Sequence, residues 1–344
     1  MDLSIIIVNW NSATFLRACL HSIYATSATV SFEVIVIDNA SYDGAEMMVR
    51  REFPNVTFIQ SKSNLGFAGA NNVAFASSRG RNILFLNPDT EVIGNALNVM
   101  CSALDAIPDA GAVGCKLLNS DLSLQTSCIQ TFPTIINQAL DFDFLQRLLP
   151  RSSLWGTRPL YTSGRPASPV DIISGACLMM RRIVFEQVGQ FSTDYFMYAE
   201  DMDLCCKVAR AGWRNYFVEG AEVIHHEGRS SRTRPNFFAA IMMRESKLKF
   251  MRLRHGRAYA GCHRVATAAI SIMRIFVLAL TLPVAALSQR REQVQRSLAK
   301  WFKILRWSVG LEQWAGTFVI PGATLAASSI QQDTATTPKV AERV

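Results

Sequence analysis

The chain has 344 residues, 49% of them hydrophobic, with a mean hydropathy of +0.15. That length is more than one compact core needs and the apolar content excludes a disordered chain, so a principal domain with an appendage is expected. The net charge of +8 is unevenly spread: residues 204–307 carry 20 Lys and Arg against 5 Asp and Glu, a local +15, and the rest carries 15 against 22, a local −7. A basic stretch can serve nucleic acid, but this one is interleaved with apolar residues and points to an anionic membrane surface, with no nucleic-acid partner. The eight cysteines are scattered without a Cys-x-x-Cys pair, and residues 4–8 read as a strand rather than a secretory leader. Reduced, mostly buried thiols in a cytosolic protein are the expectation.

In chain order, residues 4–8 (SIIIV) predict a buried strand. Asn9-Trp10-Asn11-Ser12 then turns into a helix with the stripe Phe15, Leu16, Cys19, Leu20 and Ile23, Ser12 being the expected N-cap. Residues 32–37 (FEVIVI) predict a second strand ending on Asp38, followed by a helix to about Phe53 and a short strand over 56–60. The small-residue loop 64–72 (NLGFAGANN) opens a helix to about Ser78, and 83–86 (ILFL) is a strand that stops at Asn87-Pro88-Asp89. A helix over 95–107 and a strand over 111–118 complete an alternation typical of a doubly wound, mostly parallel α/β sheet.

Residues 125–170 hold five prolines and predict a mobile or partner-facing excursion. Order returns with the apolar segment 171–182, with a helix after Glu200-Asp201 that closes at Gly212, and with a strand over 216–224 that leads to His225-His226. Basic helices follow. Within 265–288 only 275–287 is free of charge, too short to establish a membrane span, so that spanning the membrane and lying on it both stay open for this segment. Residues 290–309 place Val294, Leu298, Trp301, Phe302, Leu305 and Val309 on one stripe, as in a helix lying in the headgroup plane. From Ser328 the tail is polar and expected to be disordered.

Asp38, the 64–72 loop and Asp89 each follow a strand, so all three should gather at the carboxyl edge of one sheet. Taken singly, each has a plain alternative. Asp38 suits an N-cap as well as a ribose or base contact, and Gly66-x-x-Gly69 suits packing as well as a phosphate while lacking the dinucleotide fingerprint. Asn87-Pro88-Asp89 is turn chemistry as much as a site. Asp89 and Glu91 offer hard oxygen ligands for Mg²⁺ or Mn²⁺, and His225 a possible imidazole. Glu200 and Asp201 either serve the start of a helix or supply a general base.

In their joint order, SIIIVNWN, VIDNASYDG, NLGFAGANN, LFLNPDTE, SGACLMMRR, FMYAEDMDLCCKVARAGW and HHEGRS resemble the family-2 inverting glycosyltransferases of the GT-A fold, especially their bacterial rhamnosyltransferase-like branch. These pieces cover residues 2–231. The resemblance implies that Val8, Asn9 and Asp38 hold the nucleotide base and ribose, with Asn64 and Gly66 near the sugar nucleotide. It places Asn87 and Asp89 at the first and last positions of the family's metal-binding Asp-x-Asp, Asn87 bringing one charge fewer. His225 becomes a second ligand of Mg²⁺ or Mn²⁺, chosen over His226 by its spacing in His-x-x-Gly-x-Ser. Asp201 takes the catalytic-base position, with Glu200, Gly175 and Ala176 on the acceptor side.

The function so implied is transfer of a sugar, rhamnose from dTDP-rhamnose first, to a hydroxyl of a lipid-linked or cell-envelope glycan. A UDP- or GDP-hexose donor is the alternative within the class, and a catalytically silent nucleotide-sugar binding protein the alternative outside it. The expected division is a catalytic domain over 1–243 (nucleotide-sugar half 1–118, acceptor half 119–243), a basic helical membrane-associating region over 244–327, and the tail 328–344. Peripheral attachment at the cytoplasmic face of the inner membrane goes with it.

Overall fold

Seven consecutive buried residues make β1 (Leu3–Asn9), and a strand with no exposed face belongs in mid-sheet under cover on both sides. In the computed structural model, which describes residues 1–26, 29–140, 148, 152, 166–226, 237–286 and 291–316, that is its position. β2 (Phe32–Asp38) and β4 (Asn82–Leu86) flank it in parallel, with Ile5 opposite Val34 on one side and Leu84 on the other. β3 (Thr57–Gln60) adds a further parallel strand beyond β2. Past β4 lie β10 (Cys177–Arg181), antiparallel to both neighbours, then β6 (Ala110–Leu118), β11 (Arg214–His225) and β5 (Thr90–Val92). β8 (Ala167–Val170) also pairs with β11, and β7 (Ile129–Gln130) and β9 (Ile172–Ile173) form a separate small ladder.

The chain winds outward from β1 through β2 and β3, then returns to the other side of β1 as β4. Such a reversal leaves a crevice at the carboxyl ends of the two central strands. Asn9, Asp38 and Asn87 all stand at that edge. The mixed α/β sheet and its mostly parallel strands agree with the expected fold class.

Helices α1 (Ala13–Ala25), α2 (Ala45–Glu52), α3 (Gly66–Phe75) and α4 (Ala96–Ala106) alternate with the strands. The α1 stripe buries Leu16, Cys19, Leu20 and Ile23 as its spacing requires. Ser12 is at the N-cap position but does not cap: its hydroxyl donates to Trp10 O at 3.0 Å, and the Ala13 N–H donates to Asp43 Oδ2 at 2.8 Å. The carboxylate of a neighbouring loop is the stronger acceptor and replaces it. All eight cysteines are free, and seven are buried.

Short helices α5 (Ile135–Ala139) and α6 (Arg182–Gln187) precede α7 (Glu200–Arg210). Phe85 of β4 meets Phe185 and Phe191 with ring centroids 4.9 and 4.8 Å apart, an aromatic cluster that fixes the segment leading to α7 against the sheet. Asn72 completes the tie, its amide donating to Phe191 O and accepting from Phe191 N.

A second, smaller core joins α8 (Phe238–His255), α9 (Arg257–Ala286) and α10 (Arg291–Ser308) through Ile241, Met242 and Leu248, Ala260, and Ile304 and Trp307 respectively. Three expectations bear on this unit. The boundary at 243/244 falls inside α8, which begins before its composition turns basic, and Ile241 and Met242 already pack into the second core. On α10, Ile304 and Trp307 are buried, while Phe302 and Val309 of the expected stripe are exposed. The third concerns 265–288, whose described residues lie in α9; the portion Arg257–Pro283 is long and apolar enough, by length and composition alone, to cross a membrane. Its 27 residues have a mean hydropathy of 2.1 in the most apolar window, of which 6% is buried. The expected tail 328–344 lies outside the described residues.

Candidate active site

At the nucleotide end of the crevice, Asn9 stands opposite Asp38 in the β1–β2 ladder and donates its amide to Asp38 Oδ1 at 2.7 Å. Asp38 is 1% exposed and also accepts from Gln60 Nε2 at 2.7 Å, from Ser41 N at 3.1 Å and from the Ser41 hydroxyl. Burial raises its pKa, but the hydrogen bonds from Ser41, Gln60 and Asn9 outweigh that and hold the carboxyl below its ordinary value. Its lone pairs are thus already engaged, and a ligand reaches it by displacing Ser41 or Gln60. Asn9 Oδ1 is different: it is buried with no hydrogen-bond partner among the described residues. A buried amide oxygen left open costs about 1–3 kcal/mol unless something donates to it. Val8 lies beside this pair at the end of β1.

Asn39, not singled out from the sequence, staples the next segment. Its amide donates to Asn64 Oδ1 at 2.9 Å and to Gly66 O at 3.2 Å, and its oxygen accepts from Leu65 N at 2.7 Å. Gly66 has φ +71°, and a Cβ there would lie 2.7 Å from Phe196 O. Only glycine fits so close to another backbone. The loop carrying Asn64 and Gly66 is therefore held at β2 on one side and at the approach to α7 on the other.

Asn87, Asp89 and His225 come together across β4, β5 and β11. His225 Nε2 lies 3.4 Å from Asp89 Oδ1 and 3.5 Å from Asn87 Nδ2. Its other nitrogen, Nδ1, is 2.8 Å from Gln125 Oε1. Gln125 is buried and turned by a second bond, Nε2 to Asn119 Oδ1 at 3.2 Å, so its oxygen faces the ring. Gln125 thus occupies Nδ1, and Nε2 is the ring nitrogen turned toward the Asp89 carboxylate. An imidazole nitrogen and a carboxylate oxygen directed at one point, with the ring oriented from behind, form a pair that can hold a cation. One carboxylate and one imidazole suit Mg²⁺ or Mn²⁺ whose remaining positions go to a diphosphate and water.

His226 and Glu91 are elsewhere. His226 Nε2 pairs with Glu91 Oε1 at 2.7 Å and its Nδ1 with Ser120 Oγ at 2.8 Å. Glu91 is therefore not a companion ligand of Asp89: Asp89 lies in the turn before β5, so the two do not share one strand face, and Glu91, inside β5, is turned to His226. Gly228 and Ser230 of the His-x-x-Gly-x-Ser spacing lie outside the described residues.

At the acceptor end, Asp201 Oδ2 accepts from Gly175 N at 2.9 Å and Oδ1 from Met202 N at 2.8 Å. A Cβ on Gly175 would sit 3.3 Å from Asp201 Cβ, so a side chain there would crowd the carboxylate. Ala176 O in turn accepts from Asn87 N at 3.0 Å. A continuous path, Asn87 to Ala176 to Gly175 to Asp201, ties the Asp89–His225 cluster to the carboxylate. Tyr198 and Ala199, directly before α7, both have left-handed φ, 67° and 65°. Two such non-glycine residues in succession store strain of the kind found where a chain presents functional groups.

Glu200 and Asp201 share one buried environment, and burial pushes both carboxyls above their ordinary values, Glu200 further through the neighbouring charge of Asp201. Which acid keeps the proton follows from their partners. Asp201 has two backbone N–H donors, which favour its anion, whereas Glu200 Oε2 is buried without a partner among the described residues. Asp201 is thus the better held of the two as an anion, and Glu200 the one that burial penalises more.

A crevice at a topological switch point, an open buried amide and a carboxylate–imidazole pair tied through the backbone to a second carboxylate thus gather at one end of the sheet. The model of a glycosyltransferase-like family 2 matches residues 2–278, and the chain belongs to that family. It is 32% identical over 242 residues to an N-acetylglucosaminyl-diphospho-decaprenol L-rhamnosyltransferase of Mycobacterium tuberculosis, covering 67% of this chain and 77% of the relative. Rhamnosyltransferase WbbL of Escherichia coli is 25% identical, with 67% and 85% covered. Among solved structures, a mannosyltransferase of Pyrobaculum calidifontis in complex with GDP-Man and Mn²⁺ shares the fold at TM-score 0.50 and 18% identity, with 97% of this chain and 80% of that one covered. The chain is a family-2 glycosyltransferase with the GT-A fold.

Gln125, Asn39 and Gln60 were not legible as site residues. Asn39 carries a weak signal as the neighbour of Asp38 in one motif. Gln125 and Gln60 carry none, since each acts only through a contact made by tertiary folding.

Proposed function

We propose that this enzyme transfers rhamnose from dTDP-rhamnose, with inversion, to a hydroxyl of a lipid-linked glycan. The observation that carries the mechanism is the carboxylate of Asp201, half-buried, held by the N–H groups of Gly175 and Met202, and backbone-linked to the Asn87–Asp89–His225 cluster. Asp201 takes the proton of the acceptor hydroxyl as its oxygen attacks the anomeric carbon from the face opposite the departing diphosphate. No covalent enzyme intermediate is needed, and one displacement inverts the configuration. Asn9 Oδ1 and, after exchange of its present partners, Asp38 receive donors from base and ribose. Asn64 and Gly66 border the sugar nucleotide, and Gly175 and Ala176 leave room for the two substrates to approach. Asp89 and His225 would hold Mg²⁺ or Mn²⁺, whose contribution is to offset charge on the leaving diphosphate.

Rhamnose is supported by the two rhamnosyltransferase relatives, and a divalent metal by the Mn²⁺ of the mannosyltransferase with the same fold. The relative from Mycobacterium also supports a lipid diphosphate acceptor by its name. We further propose that α9 and α10 hold the enzyme to the cytoplasmic face of a membrane without crossing it, because Arg264 and Arg274 interrupt α9 well inside its apolar length.

The test is a donor panel of dTDP-rhamnose and UDP- and GDP-linked hexoses with Mn²⁺, following release of nucleoside diphosphate in the presence of a lipid-linked sugar acceptor. The expected result is release with dTDP-rhamnose. Release with a UDP- or GDP-hexose alone would replace the donor, and tight donor binding without release from any would favour a silent binding protein.

A further inference from the structure

Between α8, the start of α9 and the loop before α7 lies a cleft of about 440 Å³. Lys249, Arg252, Arg257 and Arg264 line it, against the acids Asp194 and Glu245. The acids are engaged: Asp194 receives Lys249 Nζ on its backbone oxygen at 2.6 Å and on Oδ1 at 3.5 Å, and Glu245 Oε2 accepts from Trp307 Nε1 at 2.7 Å. Arg264 is fixed by donating to Ser308 O and Trp307 O. Arg252 and Arg257 are exposed and form no side-chain hydrogen bond or ion pair among the described residues. Arg257 also opens the 30-residue helix α9.

Two further features say what anion belongs there. Phe196 lines the cleft, and Ser246 Oγ donates to Met197 O at 2.9 Å, so its wall is the loop that delivers Glu200 and Asp201. Along α9 beyond the cleft, Val265, Ile272, Phe276, Val277 and Leu280 are exposed. A cationic cleft next to the base at one end and an exposed apolar helix at the other match an amphiphile with a charged head.

Resting on the glycosyltransferase reading above, we propose that this cleft binds the diphosphate of the lipid-linked acceptor, Arg252 and Arg257 contacting the phosphates while the acceptor's sugar reaches Asp201 and its lipid chain runs along α9. The shared chemistry is a phosphate anion, and the lipid is the committed source.

The test uses the full chain and no donor sugar, so its failure removes the cleft assignment and leaves glycosyl transfer standing. Binding is measured to phosphatidylcholine vesicles carrying a polyprenyl diphosphate and to vesicles matched in charge with phosphatidylglycerol, with inorganic diphosphate as a soluble competitor. Wild type is expected to prefer the diphosphate lipid at least about tenfold over phosphatidylglycerol. Arg252→Gln/Arg257→Gln should lose that preference and Arg252→Lys/Arg257→Lys should keep most of it, which separates lost charge from lost fold. An undiminished preference in the Gln pair, an equal loss on both vesicles, or a failure of the Lys pair to keep the preference would overturn the proposal. So would inorganic diphosphate binding as tightly as the lipid, which would make the site one for free phosphate.

Discussion

The bond from His225 Nδ1 to Gln125 Oε1, at 2.8 Å, sets which ring nitrogen faces Asp89. Removing it frees the ring to turn away, and outer-shell partners of this kind are worth about 10–100-fold in metal affinity. Gln125→Leu is therefore expected to weaken Mn²⁺ binding, measured by titration with nucleoside diphosphate present, by about that factor. Unchanged affinity would remove Gln125 from the account. The buried acid pair makes a prediction of opposite character. A carboxyl whose folded pKa lies above its unfolded value costs nothing at low pH, where both states are protonated. It costs stability as the pH rises past the ordinary carboxylate range, in full above the folded pKa. Glu200, raised from 4.5 by burial and by Asp201, is such a group. Glu200→Gln should therefore flatten the loss of stability with rising pH and leave the protein more stable than wild type around pH 9, by about 1 kcal/mol or more. A melting series across pH reads this directly, and a steeper alkaline loss in the variant would contradict it. At this scale Asp89 and Asp201 were readable because carboxylates at the end of a buried strand and at the start of a helix stand out from an apolar background. Glu91 misled because two acids two apart on a strand share a face only while the strand runs straight into the site, and β5 turns it toward His226 instead.

Most of the parallel half of the sheet was legible as elements, since β1, β2 and β4 are continuous apolar runs with turn residues at their ends. β5 was not, being three residues long and defined by its pairing to β11, and neither was the antiparallel direction of β10, which depends on where the preceding excursion places the chain. On α10, periodicity identifies one apolar stripe, whereas the inward turn of Trp307 shows only in its bond to Glu245 on α8. The loop ahead of α3 offers the sharpest element-level test. Gly66 is left-handed, and its missing Cβ is what admits Phe196 O. Gly66→Ala should destabilise the protein by about 1–2 kcal/mol from the backbone conformation alone, with a further loss from the contact, and should raise the KM for donor. A urea melt matching wild type would show that the loop tolerates the side chain and that its approach to Phe196 is not what holds it.

Over the whole molecule, the charge division visible in composition corresponds to two cores: the sheet with its crevice, and the three-helix unit packed beside the acceptor end. Phe276 and Leu280, 64% and 63% exposed, carry the claim that this unit meets lipid. Burying side chains of that size is worth about 1.5–3 kcal/mol each. Phe276→Glu/Leu280→Glu should accordingly reduce sedimentation with anionic vesicles by at least about tenfold while leaving the melting temperature near that of wild type. Sedimentation equal to wild type would place the membrane contact elsewhere or nowhere. The central claim is that Asp201 is the base of a single displacement, and the most direct measurement compares kcat and donor dissociation constant for wild type and Asp201→Asn with the donor that the panel selects. General-base removal predicts a fall in kcat of about 10²–10⁴-fold with donor affinity within a few-fold of wild type. A variant that turns over at the wild-type rate, or one that loses donor binding in proportion to rate, would contradict it.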